Sequence, residues 1–311
     1  MEVLQPTALE FHPIVVEDIT EYQACLRSKD ARGCEYSFAN LFMWGDQKLA
    51  RLDDWFVLFS RFGERYLYPY PIGTGDRRRV LEAIFADAAA RGIEWRFSGL
   101  LENEKDELEM LYPDRFAFVA NEGSFDYVYD INDLADLAGR KYHGKRNHCK
   151  RFEDAYPQYT VEPITEENLS LAREFAREWY AAKQAQDPDA NYRMEENALE
   201  RAFANYRALG LEGLLLCAEG RVLALTVGNR MRADTFDVNF EKATAEVQGA
   251  YAVINREFAR YIREKYPEVR FLDREEDMGI EGLRRAKQSY YPHHQIKKYR
   301  AIPKELVKHE N

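Results

Sequence analysis

Gly213-Leu-Leu-Leu-Cys-Ala218, then Glu219-Gly220, then Arg221-Val-Leu-Ala-Leu-Thr-Val-Gly-Asn-Arg-Met231 reads as two apolar strands around a two-residue turn. A third strand follows over Asp234–Phe240. Beyond it, Tyr251, Ile254, Phe258 and Tyr261 recur at 3-4-3 spacing, the period of an amphipathic helix. Val269–Asp273 reads as a strand, Gly282–Lys287 as a short helix and Gln295–Tyr299 as a last strand. A helix over Met194–Leu209 precedes the set and stops at Gly210. Hairpin, strand, helix, strand, helix, strand predicts an α/β (α+β) domain: a mixed, mostly antiparallel sheet flanked by helices.

The same opening occurs twice. Phe11-His-Pro-Ile-Val-Val-Glu-Asp-Ile19 resembles Val161-Glu-Pro-Ile-Thr-Glu-Glu-Asn-Leu169, matching Pro13 to Pro163, Ile14 to Ile164 and Glu17 to Glu167. In the second copy Thr165 is a good N-cap, Glu166 and Glu167 face the positive helix end, and Leu169, Ala172, Ala176 and Trp179 form an apolar face. At 311 residues, two domains are the natural prior. The expectation is a tandem, residues 1–155 and 156–311, and the element order of the second half is that of a GNAT-type acyltransferase. In the first half, Trp55–Ser60 and Arg65–Tyr70 form a hairpin about Phe62-Gly-Glu64. A helix runs from about Asp76 to Arg91 with Gly92 as its stop, and strands follow near Ile93–Ser98 and Phe125–Asp130. The aromatic block Cys34–Trp44 reads as a core helix or buried turn.

Composition is globular, with 46% hydrophobic and 32% charged residues and a formal net charge of −10. No apolar run approaches the roughly 18 residues that span a bilayer. The start Met1-Glu-Val-Leu-Gln-Pro6 lacks a signal peptide's basic and apolar regions. Cys25, Cys34, Cys149 and Cys217 are scattered, as reduced thiols are. The expectation is a soluble cytoplasmic protein. No metal-ligand spacing and no G-x-S-x-G elbow appear. His293-His294 reads as a polar loop.

Against that acidic background, Gly139-Arg-Lys-Tyr-His-Gly-Lys-Arg-Asn-His-Cys-Lys-Arg151 is dense in cations and holds no carboxylate. Such a block calls for an anion, phosphate being the usual one. Lys145 and Arg146 lead as its ligands, then Lys141 and Lys150. His143 and Asn147 add donors, and Gly144 allows close backbone approach. A second charged cluster, Asp273-Arg-Glu-Glu-Asp277, follows a strand and precedes Gly279; on its own it reads as a solvated acidic turn.

Lys141-Tyr-His-Gly-Lys-Arg-Asn-His148, Asn255–Tyr261, Glu35–Trp44 and above all Leu272-Asp-Arg-Glu-Glu-Asp-Met-Gly-Ile-Glu-Gly-Leu-Arg-Arg-Ala-Lys-Gln-Ser-Tyr290 carry a resemblance. The chain resembles proteins sharing the C-terminal catalytic domain of phosphatidylglycerol lysyltransferases, themselves similar to the Fem transferases. The resemblance implies tandem GNAT folds and aminoacyl transfer from charged tRNA to an amine or hydroxyl acceptor, whether small molecule, peptide or lipid headgroup. The lysyltransferases also carry a large membrane-embedded portion with no counterpart in this sequence, so a reaction class is implied rather than a lipid.

With the resemblance, the second cluster becomes a site at the sheet's edge. Asp273 belongs to it, Glu275 or Asp277 serves as base, and Arg274 binds carboxylate or phosphate. Asn239 and Glu241 point into the same crevice, and Lys287 and Tyr290 lie beyond the short helix. GNAT enzymes using acetyl-CoA cradle its pyrophosphate in an R/Q-x-x-G-x-G/A loop. Here Ala245-Glu-Val-Gln-Gly-Ala250 keeps Gly249 but adds Glu246. That lowers coenzyme A and raises aminoacyl-tRNA as donor. No further cofactor is required. A module that only binds RNA or another polyanion is the non-catalytic alternative.

Overall fold

The structure, a computed structural model, describes residues 8–27, 33–62, 64–188 and 190–309. The Met1–Pro6 start and Gly63 of the first hairpin turn lie outside them. Two compact units form: Met1–Phe125 with Ile296–Asn311, and Asp126–Gln295.

In the first unit the elements are β1 (His12–Pro13), α1 (Ile19–Arg27), α2 (Phe38–Met43), β2 (Asp46–Leu52), β3 (Trp55–Phe62), β4 (Arg65–Pro69), β5 (Ile72–Gly73), α3 (Arg77–Arg91), β6 (Trp95–Leu100), α4 (Glu102–Leu111) and β7 (Phe116–Ala120). The helix expected from Asp76 forms as read: the Asp76 carboxylate accepts from the Arg79 N–H, and Gly92 closes it in the left-handed region. Its buried side, including Val80, Leu81, Ile84 and Ala88, packs into a core with Trp55, Tyr68, Trp95, Phe97 and Phe116.

The second unit holds β8 (Asp126–Asp130), α5 (Ile131–Asp136), α6 (His143–Ala155), β9 (Thr160–Pro163), α7 (Leu169–Gln186), α8 (Arg193–Ala204), β10 (Leu211–Ala218), β11 (Arg221–Arg230), β12 (Thr235–Ala243), α9 (Ala250–Lys265), β13 (Phe271–Asp273), α10 (Glu281–Gln288) and β14 (His294–Ile296). β15 (Tyr299–Pro303) follows. Where one last strand was expected over Gln295–Tyr299 there are two, in different sheets. The helix expected from Thr165 begins at Leu169 instead, because Asn168 takes the capping position and its side chain accepts from the Thr165 N–H.

The sheets have matching orders, β1-β2-β3-β4-β6-β15-β7 and β9-β10-β11-β12-β13-β8-β14. In each, an antiparallel meander meets one parallel pair, β4 with β6 or β12 with β13. The repeated openings become the equivalent edge strands β1 and β9, where a proline costs no ladder bond. The chain does not divide at 155/156. β8 pairs with β13, matching Tyr129 to Leu272, and α5 and α6 bury Leu134 and Phe152 in the second core. β15 returns to the first sheet between β6 and β7. The repeat marks where the second meander starts, not where the first unit ends.

Candidate active site

β12 and β13 pair only over Thr235↔Phe271, Phe236↔Leu272 and Asp237↔Asp273; then β13 ends while β12 runs on to Ala243. A bulge sets what faces the opening. Val227 pairs with Phe240 and Asn229 with Asp237, so Val238 and Asn239 both lie opposite Gly228. The extra residue reverses the alternation of side chains. Phe236 packs on Phe258 of α9, and past the bulge Glu241 turns to the same helix. Lys242 turns the other way, to Glu195 of α8 and the Trp179 ring of α7. A Cβ on residue 228 would stand 2.1 Å from the Asp237 carbonyl oxygen, so glycine is required there.

Glu241 is gripped at both oxygens. Arg274 Nη2 donates to Oε1 at 2.9 Å, and Asn255 Nδ2 donates to Oε2 at 3.1 Å. The Arg274 guanidinium lies 4.9 Å from the Tyr290 ring centroid, and the Lys145 ammonium lies 3.6 Å from the same ring. Lys145 Nζ also donates to Ser289 Oγ at 2.7 Å, a hydroxyl that itself donates to the Ala286 carbonyl. Burial, then repulsion from Arg274, takes the Lys145 amine down to about 8, against a partial pull from Glu241. Burial pushes the Tyr290 hydroxyl well up. For Arg274, burial opposes the charge, but Glu241 together with the Tyr129 and Tyr290 hydroxyls more than offsets it and the guanidinium stays charged. Two cations thus lie against one tyrosine ring, and the Glu241 carboxylate draws on both.

The two charged segments singled out in the sequence therefore meet, through Lys145 on one side and Arg274 and Tyr290 on the other. Other members are held elsewhere. Arg146 donates to the carbonyls of Leu137 and Gly139 at the end of α5, at 2.7 Å for Gly139. Lys141 pairs with Asp133 at 3.0 Å and Lys150 with Asp154 at 3.2 Å, so two of the block's six cations are neutralised, by acids outside its span. His143 accepts from Asn147 Nδ2 on the exposed side of α6. Gly144 has nothing within 4 Å of where its Cβ would sit, so close approach does not explain it. Lys287 is no phosphate ligand here: buried, it donates to the backbone carbonyls of Arg274 and Glu275.

The loop after β13 is pinned at each carboxylate. Asp273 Oδ1 accepts from the Glu275 N–H at 2.8 Å, fixing Glu275 at φ +59. Asn239 bridges Asp237 at 3.0 Å and Glu275 at 3.5 Å. Asp277 accepts from Tyr127, from two nitrogens of Arg284 and from the Gly279 N–H. Arg284 and then these other bonds hold its carboxyl down at about 2. A carboxylate so saturated is a poor base. Asn255 and Ser289 lie in segments that carry the family resemblance but were not named as site residues from the sequence.

Gly249 precedes α9 at φ +90, and a Cβ there would meet the His148 carbonyl oxygen at 2.3 Å. The glycine of the degenerate loop thus seats α6. Beside that loop a hollow of about 600 Å³ has Glu162, Glu174, Glu178 and Glu246 in its lining against Lys183 and Arg221, an acidic balance toward any phosphate.

Two sheets of this topology, each with a meander, one parallel pair and flanking helices, are those of tandem GNAT-like acyltransferases. The chain belongs to the family described as phosphatidylglycerol lysyltransferase, C-terminal, matched over residues 26–302. A conserved protein of unknown function from Bacteroides thetaiotaomicron VPI-5482 is 37% identical with a TM-score of 0.90, over 95% of this chain and 100% of that one. L-PGS from Bacillus licheniformis matches at 17% identity and TM-score 0.66, over 91% of each chain. FemX matches at 13% and 0.62, over 95% of this chain and 98% of its own. At these identities the last two establish the fold. No curated protein matches. Among the described residues no helix is long and apolar enough to cross a membrane.

Proposed function

We propose that this protein transfers an aminoacyl group from aminoacyl-tRNA to an amine or hydroxyl acceptor, in the splay between β12 and β13. The observation carrying this reading is the convergence of Lys145, Arg274 and Glu241 on Tyr290, a cationic seat beside the open end of a parallel strand pair. The acceptor's nucleophile attacks the ester carbonyl while Glu275 takes its proton. Arg274 stabilises the oxyanion, the ester C–O bond breaks, and Lys145 gives a proton to the departing ribose oxygen. An amine near 8 suits that last step, since it is mostly protonated at neutral pH yet releases its proton readily.

Aminoacyl-tRNA is favoured over coenzyme A because the pyrophosphate loop is degenerate, its Gly249 is turned to α6, and the adjoining hollow is acidic. Exposed Arg140 and Arg151, which make no ion pair among the described residues, are left to meet RNA phosphates. The test offers radiolabelled aminoacyl-tRNA and, separately, acyl-CoA donors with a panel of amine and hydroxyl acceptors. Transfer from the tRNA ester, falling at least about 100-fold in Lys145→Ala, is expected. Transfer from acyl-CoA without tRNA binding would replace this reading. Polyanion binding with no transfer from any donor would reduce the protein to a binding module.

A further inference from the structure

Two buried polar atoms beside Glu241 have no hydrogen-bond partner: Arg274 Nη1, a donor, and Asn255 Oδ1, an acceptor. Their identities are fixed by chemistry. A carboxylate only accepts, so the Asn255 atom facing Glu241 must be the amide nitrogen, and the oxygen is the one left over. Arg274 carries donors only. Asn255 is 2% exposed, and an unmet polar group at such depth is costly unless a ligand meets it.

The pair is complementary rather than alike. A phosphate or a simple acyl thioester brings acceptors alone and satisfies only Arg274. A free α-aminoacyl ester brings a carbonyl acceptor and, on the adjoining carbon, an ammonium donor. Both orphaned atoms belong to side chains hung from the two oxygens of one carboxylate, whose negative charge also favours an ammonium.

Building on the aminoacyl-transfer reading, we infer that Asn255 is the specificity-determining residue for a donor with a free α-amine. Asn255 Oδ1 accepts from the α-ammonium while Arg274 Nη1 donates to the acyl carbonyl oxygen. The site then selects aminoacyl over N-blocked or plain acyl donors, because a plain acyl group leaves Oδ1 unmet and a blocked amine offers it one neutral N–H without the charge that Glu241 favours.

The test uses the full chain and two hydrolysis-resistant probes, a 3′-aminoacylamino-3′-deoxyadenosine with a free α-amine and its N-acetyl derivative, each titrated to equilibrium. Wild type is expected to prefer the free amine by about tenfold or more, the loss of one buried charged hydrogen bond. Asn255→Leu should bring the preference close to one. Asn255→Ser, smaller and polar, serves the same purpose if leucine does not fit, and thermal melting reports folding of both. Equal binding of the two probes by wild type overturns the inference even if neither variant folds, and so does a preference that survives in a folded variant. Binding of neither probe by wild type defeats the donor assignment itself, and the inference with it.

Discussion

Burial takes the Lys145 amine from 10.5 to about 8, and the sign of its effect on stability follows. Between those values the unfolded chain holds a proton the folded chain has lost, so stability rises with pH across that window; below about 8 the desolvation penalty is present in full. The stability of wild type minus that of Lys145→Met should therefore increase by about 1–2 kcal/mol from pH 7.5 to 10.5, allowing for solvent screening of a partly exposed amine. Denaturant titrations at pH 7.5, 9 and 10.5 check it; a flat difference means the amine is not depressed. At this scale the sequence yields the charged residues, because Lys145, Glu241 and Arg274 stand out by type. It does not say which charges are neutralised, since the partners of Lys141 and Arg146 come from α5 and its C-terminal end. Asn255 was visible as one polar position inside the apolar face of α9, three before Phe258, but an isolated asparagine there reads equally as a border residue.

The hairpins and the α3 helix were legible because their signals are local: alternating apolar runs, Asp76 as cap, Gly92 as stop. The bulge at Val238–Asn239 was not, since it exists only relative to the partner strand β11. Nor was the expected stripe of α9 quite right. Tyr251 is exposed while Val253, Asn255 and Ala259 are buried, because α5 and α6 cover a wider side of the helix than the sheet alone would. The α6–α9 contact predicts a contrast between two glycines. Gly249→Ala drives a Cβ into the His148 carbonyl at a left-handed φ and should cost about 2–4 kcal/mol. Gly144→Ala, inside α6 with open space around it, should be neutral or stabilising by up to about 1 kcal/mol. Melting curves of the two variants decide it; a Gly249→Ala protein that melts with wild type removes the close approach.

The tandem architecture was readable from length and the repeated opening, while the interleaving of the chain was not, because β8 and β15 are short strands with nothing local to say which sheet they join. Interleaving fixes what can be cut. A fragment Asp126–Gln295 retains its core and should unfold cooperatively, whereas residues 156–311 lack β8 and α6 and should not fold; circular dichroism and denaturant titration of both distinguish the cases. Synthesis runs from the first residue onward, so a nascent chain holds β6 and β7 long before β15 can join them. Until then β7 has no hydrogen-bonded neighbour, and β6 shows one bare edge. A transcript that stops early, shortly after residue 295, releases a polypeptide with that gap permanently open, a template for association with other chains that a cell's proteases must clear.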